Sequence, residues 1–158
     1  MHIAKIFLVI LCLKLGLTGC SPEDDVMLNL ANIDGKISII GADGTLRHKY
    51  KIEIAENAED MYHGLMGRTS LDENSGLLFD ISIVPGDVEV AMWMKDTLIP
   101  LDMVFADEKG EIFYIHENAK PNDLTPIYPP KRPRVVLEIN GGQSQKNNIK
   151  IGDVISTK

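Results

Sequence analysis

The sequence has little cysteine, no long apolar run and a shortage of basic residues, and each deficit closes off a class of function. Its two cysteines are Cys12 and Cys20, so nothing beyond position 20 offers a disulfide, a thiol nucleophile or a cysteine-based zinc site. The longest apolar run, Ile6 to Leu13, falls well short of the roughly 20 residues that cross a bilayer as a helix. The 16 lysines and arginines face 23 acidic residues, an unsuitable balance for a nucleic-acid partner. There is no Gly-x-Ser-x-Gly elbow, no glycine loop of the phosphate-cradling kind and no His-Glu-x-x-His helix. His48, His63 and His116 are scattered, and Asp60 with His63 three residues on reads as a surface contact rather than a metal site. No cofactor or metal is expected.

What is present begins at the N-terminus. His2 and Lys5 precede the apolar run, and small residues follow it up to Cys20, the order of a secretory signal. Leu17-Thr18-Gly19-Cys20 resembles the lipobox of bacterial lipoproteins, in which cleavage before the cysteine leaves a lipidated new N-terminus. Lys14 interrupts the apolar region and departs from that pattern. The resemblance implies a signal peptide over 1–19 and a lipid anchor on Cys20. Two or three acyl chains would hold the protein stably, each buried CH₂ contributing about 0.8 kcal/mol. Ser21, rather than aspartate, after the cysteine implies outer-membrane delivery with the domain facing the periplasm of the bacterial envelope. Loss of Lys5 and Lys14 leaves 14 basic against 23 acidic residues, a formal charge of −9.

Residues 20–36 then form a lipidated cysteine and tether, starting with the acidic Ser-Pro-Glu-Asp-Asp of 21–25, and 37–158 a single domain. Its pattern is short strands between Gly, Asn and Asp turns. Ile37 to Ile40 and Lys49 to Ala55 flank the hairpin turn Gly41-Ala42-Asp43-Gly44. Asn57 is placed to cap a helix over Ala58 to Met66, which Gly64 and Gly67 weaken or end. Further strands are expected at Leu77 to Phe79, Val88 to Lys95, Asp102 to Ala106, Glu111 to Glu117 and Arg134 to Asn140, with a brief helix over Gln143 to Asn148 and a last strand near Asp153. The turn Asp107-Glu108-Lys109-Gly110 should join Asp102 to Glu117 as an antiparallel hairpin. This is an α+β domain, mainly β: a compact curved antiparallel sheet or small barrel with one or two short helices. The stretch from Pro121 to Pro133 holds five prolines, counting both ends, and no regular pattern, which reads as a lid or binding loop, or as a rigid strap over a sheet edge.

Alternation along Val88 to Lys95 puts Trp93 and Lys95 on one face, and the turn that follows brings Asp96, Thr97 and Asp102 close to one bend. An aromatic platform beside a cation and carboxylates suits a polar small molecule. The same residues also make sense structurally: Trp93 as core, Lys95 paired with a carboxylate, and Asp96 or Thr97 bonded to the turn's own backbone. Arg68 offers a bidentate partner for a carboxylate. Glu138 interrupts the apolar strand Val135 to Ile139, where a charge must be solvated or paired, and Arg68, Lys95 or Arg134 is its expected partner.

Gly64-Leu65-Met66-x-Arg68, Gly76-Leu77-Leu78-Phe79, the block Trp93 to Asp102, His116-Glu117-Asn118 and Val136-Leu137-Glu138-Ile139-Asn140-x-Gly142 stand in this order. Together they resemble the prokaryotic "domain of unknown function 192" family, DUF192, over about Lys49 to Ile155. The resemblance implies a compact, mainly β, often exported domain and carries no established activity. Asp96 stands where many relatives have asparagine and Lys120 where they tend to have proline; if Asp96 shapes a site, its charge would alter the ligand.

The leading expectation is a non-enzymatic envelope lipoprotein that binds a small polar ligand or an envelope partner through Arg68, Trp93, Lys95, Asp96, Thr97, Asp102 and Glu138. The alternatives are a hydrolase or lyase working through the carboxylates of Asp96 and Asp102, and a purely structural or assembly protein.

Overall fold

The computed structural model describes residues 28–30 and 33–158, so the signal, Cys20 and most of the tether lie outside the described residues. The first hairpin forms where the turn residues predict it. β1 (Lys36–Ile40) and β2 (Leu46–Ala55) are antiparallel, with the register shifting at Ile39/Ile40 beside the Gly41–Gly44 turn. α1 (Ala58–His63) starts at Asn57, whose side-chain oxygen accepts from the amides of Glu59 and Asp60 at 3.0 and 2.9 Å. It stops at Gly64, which takes a φ of 47°, so the helix is shorter than the apolar pattern through Met66 suggests.

β2 ends at Ala55, and the connection holding α1 carries the chain back along the sheet to enter β3 (Ser75–Asp80) level with Lys51, so β3 runs parallel to β2. Every other pairing is antiparallel. β4 (Leu101–Ala106) and β5 (Ile112–Ala119) make the second hairpin through the Asp107–Gly110 turn. β6 (Val135–Asn140) lies between β4 and β3, α2 (Gln143–Lys146) follows, and β7 (Val154–Ser156) pairs with β1. The spatial order is β5-β4-β6-β3-β2-β1-β7.

The sheet curls until its two edges touch. Glu111 bridges Val154, and the Ile155 amide donates to the Gly110 carbonyl at 2.8 Å. Gly110 has a φ of 81°, and a Cβ there would lie 2.4 Å from the Ile155 carbonyl oxygen, so a side chain is excluded on two counts. The result is the mainly antiparallel, curved half-barrel with two short helices that the turn and strand pattern implies.

Each face of the sheet buries its own apolar cluster. The inner one gathers Ile39, Tyr50, Leu78, Val104, Leu137 and Ile155. The outer one gathers Leu77, Phe79, Met103, Phe105 and Val136 beneath Leu65, Ile81, Met94 and Ile99, which come from the connections.

Val88 to Lys95 is not a sheet strand. Its alternation survives only as an extended segment over the outer face, with Met94 buried and Glu89, Ala91 and Trp93 turned to solvent. Its backbone pairs with the proline-rich stretch: Met92 and Ile127 exchange hydrogen bonds of 3.0 and 2.8 Å, and the Met94 amide donates to the Asp123 carbonyl. Residues 121–133 are thus a strap bonded to this roof segment. Among the described residues no helix is long and apolar enough to cross a membrane.

Candidate functional site

α1, the turn after it and the roof segment enclose a cavity of about 190 Å³ over the outer face of the sheet. Its walls include Met61, Leu65, Phe79, Ile81, Val90 and Met92. Its floor holds one polar surprise, Glu138.

β6 places that carboxyl. Val135, Leu137 and Ile139 point to the inner core, so Val136 and Glu138 point outward under the roof. Glu138 is 4% exposed, and among the described residues its side chain has no hydrogen bond or ion pair. Burial pushes its pKa from 4.5 up to about 8. The expected ion pair is absent because each cation is engaged elsewhere. Arg68 grips Glu53 bidentately at the surface, one contact being 2.8 Å, and this pair holds the Glu53 carboxyl below its usual range. Arg134 meets Asp80 and Glu108. Lys95 donates to the Tyr62 hydroxyl at 2.8 Å.

Lys95 and Trp93 do come together, at the cavity mouth. The Lys95 ammonium lies 5.2 Å from the Tyr62 ring centroid and 5.6 Å from that of Trp93, and the Tyr62 hydroxyl raises the lysine's pKa. Trp93 is 44% exposed and belongs to the rim, not the core. Thr97 lines the cavity from a buried position, its hydroxyl donating to the Lys95 carbonyl within the turn.

Asp96 and Asp102 leave the predicted constellation. Asp96 is exposed, with a φ of 52° at the turn, a conformation that aspartate and asparagine tolerate better than most residues. The residue there answers to the backbone, and neither Asp96 nor Asp102 lines the cavity. On β4, Met103 sits opposite Glu138 and shares its face, so Asp102 points to the other side of the sheet. There, fully buried, its carboxylate accepts from the amides of Asn118 (2.8 Å), Gly142 (2.9 Å) and Ser144 (2.8 Å). It locks the end of β5 to the turn before α2. Arg68 also lies outside the cavity lining.

Tyr62 and the methionines of the walls escape the sequence reading, which places Met61 to Met66 only in a weak helix and Met92 only in an alternating segment. Among the described residues no group of three or more histidine, cysteine or carboxylate side chains is placed to hold a metal ion.

A family model, DUF192, described as an uncharacterized ACR, matches residues 38–157. The chain belongs to the DUF192 family. Two crystal structures share the DUF192 architecture seen here. A protein of unknown function from Novosphingobium aromaticivorans is 32% identical, with a TM-score of 0.69 over 77% of this chain and 83% of that one. A protein from Sinorhizobium meliloti, described as a candidate transcription regulator, is 34% identical, with a TM-score of 0.70 over 77% of this chain and 91% of that one. No functionally curated protein matches.

Proposed function

We propose that this DUF192 domain is a non-enzymatic binding module for a small molecule with an apolar body and a polar head, held at the bacterial envelope by lipid on Cys20. One observation carries the reading: an unpaired, buried carboxyl at the floor of a cavity whose walls are apolar and whose polar groups gather at the mouth. A carboxyl in that position destabilises the fold, and a residue kept only for packing would be aliphatic there. It gains a partner when a ligand head reaches it.

The carboxylate-dependent hydrolase or lyase loses its support in the separation of Asp96 and Asp102 to a surface turn and the opposite face of the sheet. The assembly reading has no comparable feature behind it. The acidic balance gives no reason to carry the regulator description of the Sinorhizobium protein over to this chain.

Binding is tested by titrating the purified chain with a set of small amphipathic compounds and following backbone amide shifts. Shifts confined to residues 61–66 and 89–97 and to Glu138 support the site; shifts elsewhere, or none, reject it. The anchor is tested by fractionating cells that make the wild-type chain and Cys20→Ala. Membrane retention lost only in the variant supports lipidation, and a soluble wild-type protein rules it out.

A further inference from the structure

We infer that the ligand class is an organic monocation: a small amine whose apolar body fills the cavity and whose ammonium meets the Glu138 carboxyl. This rests on the binding-module reading and specifies its ligand.

The argument starts from the polar groups that line the cavity. Two carboxyls, Glu138 and Glu89, stand against one ammonium, Lys95. Lys95 uses one of its three N–H donors on Tyr62 at the mouth, and the Thr97 hydroxyl bonds to the Lys95 carbonyl. On the floor the polar group a ligand meets is the Glu138 carboxyl. A carboxylate ligand would gain only a neutral hydrogen bond from Glu138 while that carboxyl is protonated and would be repelled once it ionises, and Lys95, the one ammonium of the lining, stands at the mouth rather than on the floor. An alcohol would form one neutral hydrogen bond. An ammonium would form a charge-assisted bond and neutralise the buried charge at once.

The mouth is aromatic. The Lys95 ammonium lies 5.6 Å from the Trp93 centroid and donates to the Tyr62 hydroxyl, so the rim accommodates a cation, while the Lys95 charge keeps a second one from resting there and leaves the floor as its place. Size narrows the class. A cavity of about 190 Å³ is somewhat larger than the roughly 150 Å³ engineered cavity that accepts benzene, which points to a ligand of about seven to nine non-hydrogen atoms.

Proton linkage supplies a signature that packing alone would not give. The titratable groups facing Glu138 are Tyr62 and His63 from the α1 side and Glu89 and Lys95 from the roof. With its pKa near 8, Glu138 is protonated in the empty site at pH 6 and must ionise when an ammonium binds. Apparent affinity for an amine that stays charged should therefore rise about tenfold per pH unit from 6 to 7 and level off above 8. A neutral ligand should show no such slope.

Benzylamine, benzyl alcohol and benzoate share one apolar body and differ in the head. Each is titrated into the full chain at pH 7.5, with calorimetry and the fluorescence of Trp93, the one tryptophan, as readouts. Benzylamine should bind at least tenfold more tightly than benzyl alcohol, benzoate should not bind, and Glu138→Gln should remove the amine's advantage over the alcohol. Equal binding of amine and alcohol, a preference for benzoate, or an amine advantage that persists in Glu138→Gln overturns the charge assignment and leaves the pocket standing. Failure of all three probes overturns the pocket as well. Should Glu138→Gln fold poorly, the wild-type pH series decides: a flat amine affinity from pH 6 to 8 overturns the inference.

Discussion

Asp102 and Glu138 are buried carboxyls on neighbouring strands, and their surroundings give them opposite consequences. Asp102 has its oxygens filled by three backbone amides. Removing it orphans three donors in the interior, where each costs about 1–3 kcal/mol. Asp102→Ala should therefore lower the urea unfolding free energy by about 3 kcal/mol or more. Arg68→Ala breaks only a surface pair with Glu53 and should cost less than about 1 kcal/mol. Lys95→Ala should leave the unfolding midpoint where it is. A comparable loss in all three variants would mean one buried ion-pair network and contradict the separation seen here. Ser144 marks the same turn: its amide is used by Asp102, while its hydroxyl is buried without a partner.

At the scale of elements, the roof over the cavity is held by the strap rather than by the sheet. The Arg132 guanidinium donates to the carbonyls of Val84 at 2.6 Å and Val88 at 2.7 Å, and makes a longer contact of 3.4 Å with Ile81. Arg132→Ala should loosen the roof locally. Hydrogen exchange of the Met92 and Met94 amides, both bonded to the strap, should quicken about tenfold while β4 and β6 amides keep their protection. Equal acceleration everywhere would show that the strap belongs to the global folding unit. The roof also shows where sequence reading reached its limit. The β1–β2 turn, the Asn57 cap and the Asp107–Gly110 turn were legible because neighbouring residues determine them. Val88 to Lys95 showed a true alternation, but what an extended segment pairs with depends on residues about 30 positions away. The site behaved likewise. The strand pattern singled out Glu138 as the charge in an apolar strand; its lack of a partner followed from where Glu53, Asp80, Glu108 and Tyr62 lie in space.

For the molecule as a whole, the unpaired carboxyl predicts an unusual dependence of stability on pH. In the unfolded chain Glu138 should titrate near its ordinary 4.5, and in the folded protein near 8. Between these values the native state holds a proton that the unfolded state releases, so this group's contribution to stability falls as pH rises through that window. The slope is at most about 1.4 kcal/mol per pH unit. Carboxylates with depressed values act in the other direction. Glu53, held down by Arg68, adds stability that is lost as pH drops through its lowered folded pKa. The two effects are separated by comparison with Glu138→Gln, which removes only the first. Urea unfolding of both proteins from pH 4 to 8 should give similar stabilities near pH 4 and a relative advantage for the variant that grows steadily toward pH 8. Parallel curves would mean that the Glu138 carboxyl titrates in the native protein where it does in the unfolded chain, with water or a side chain already satisfying it. A divergence that benzylamine suppresses at pH 7.5, by stabilising the wild type and not the variant, would connect the pH profile of the whole molecule to the one cavity beneath its roof.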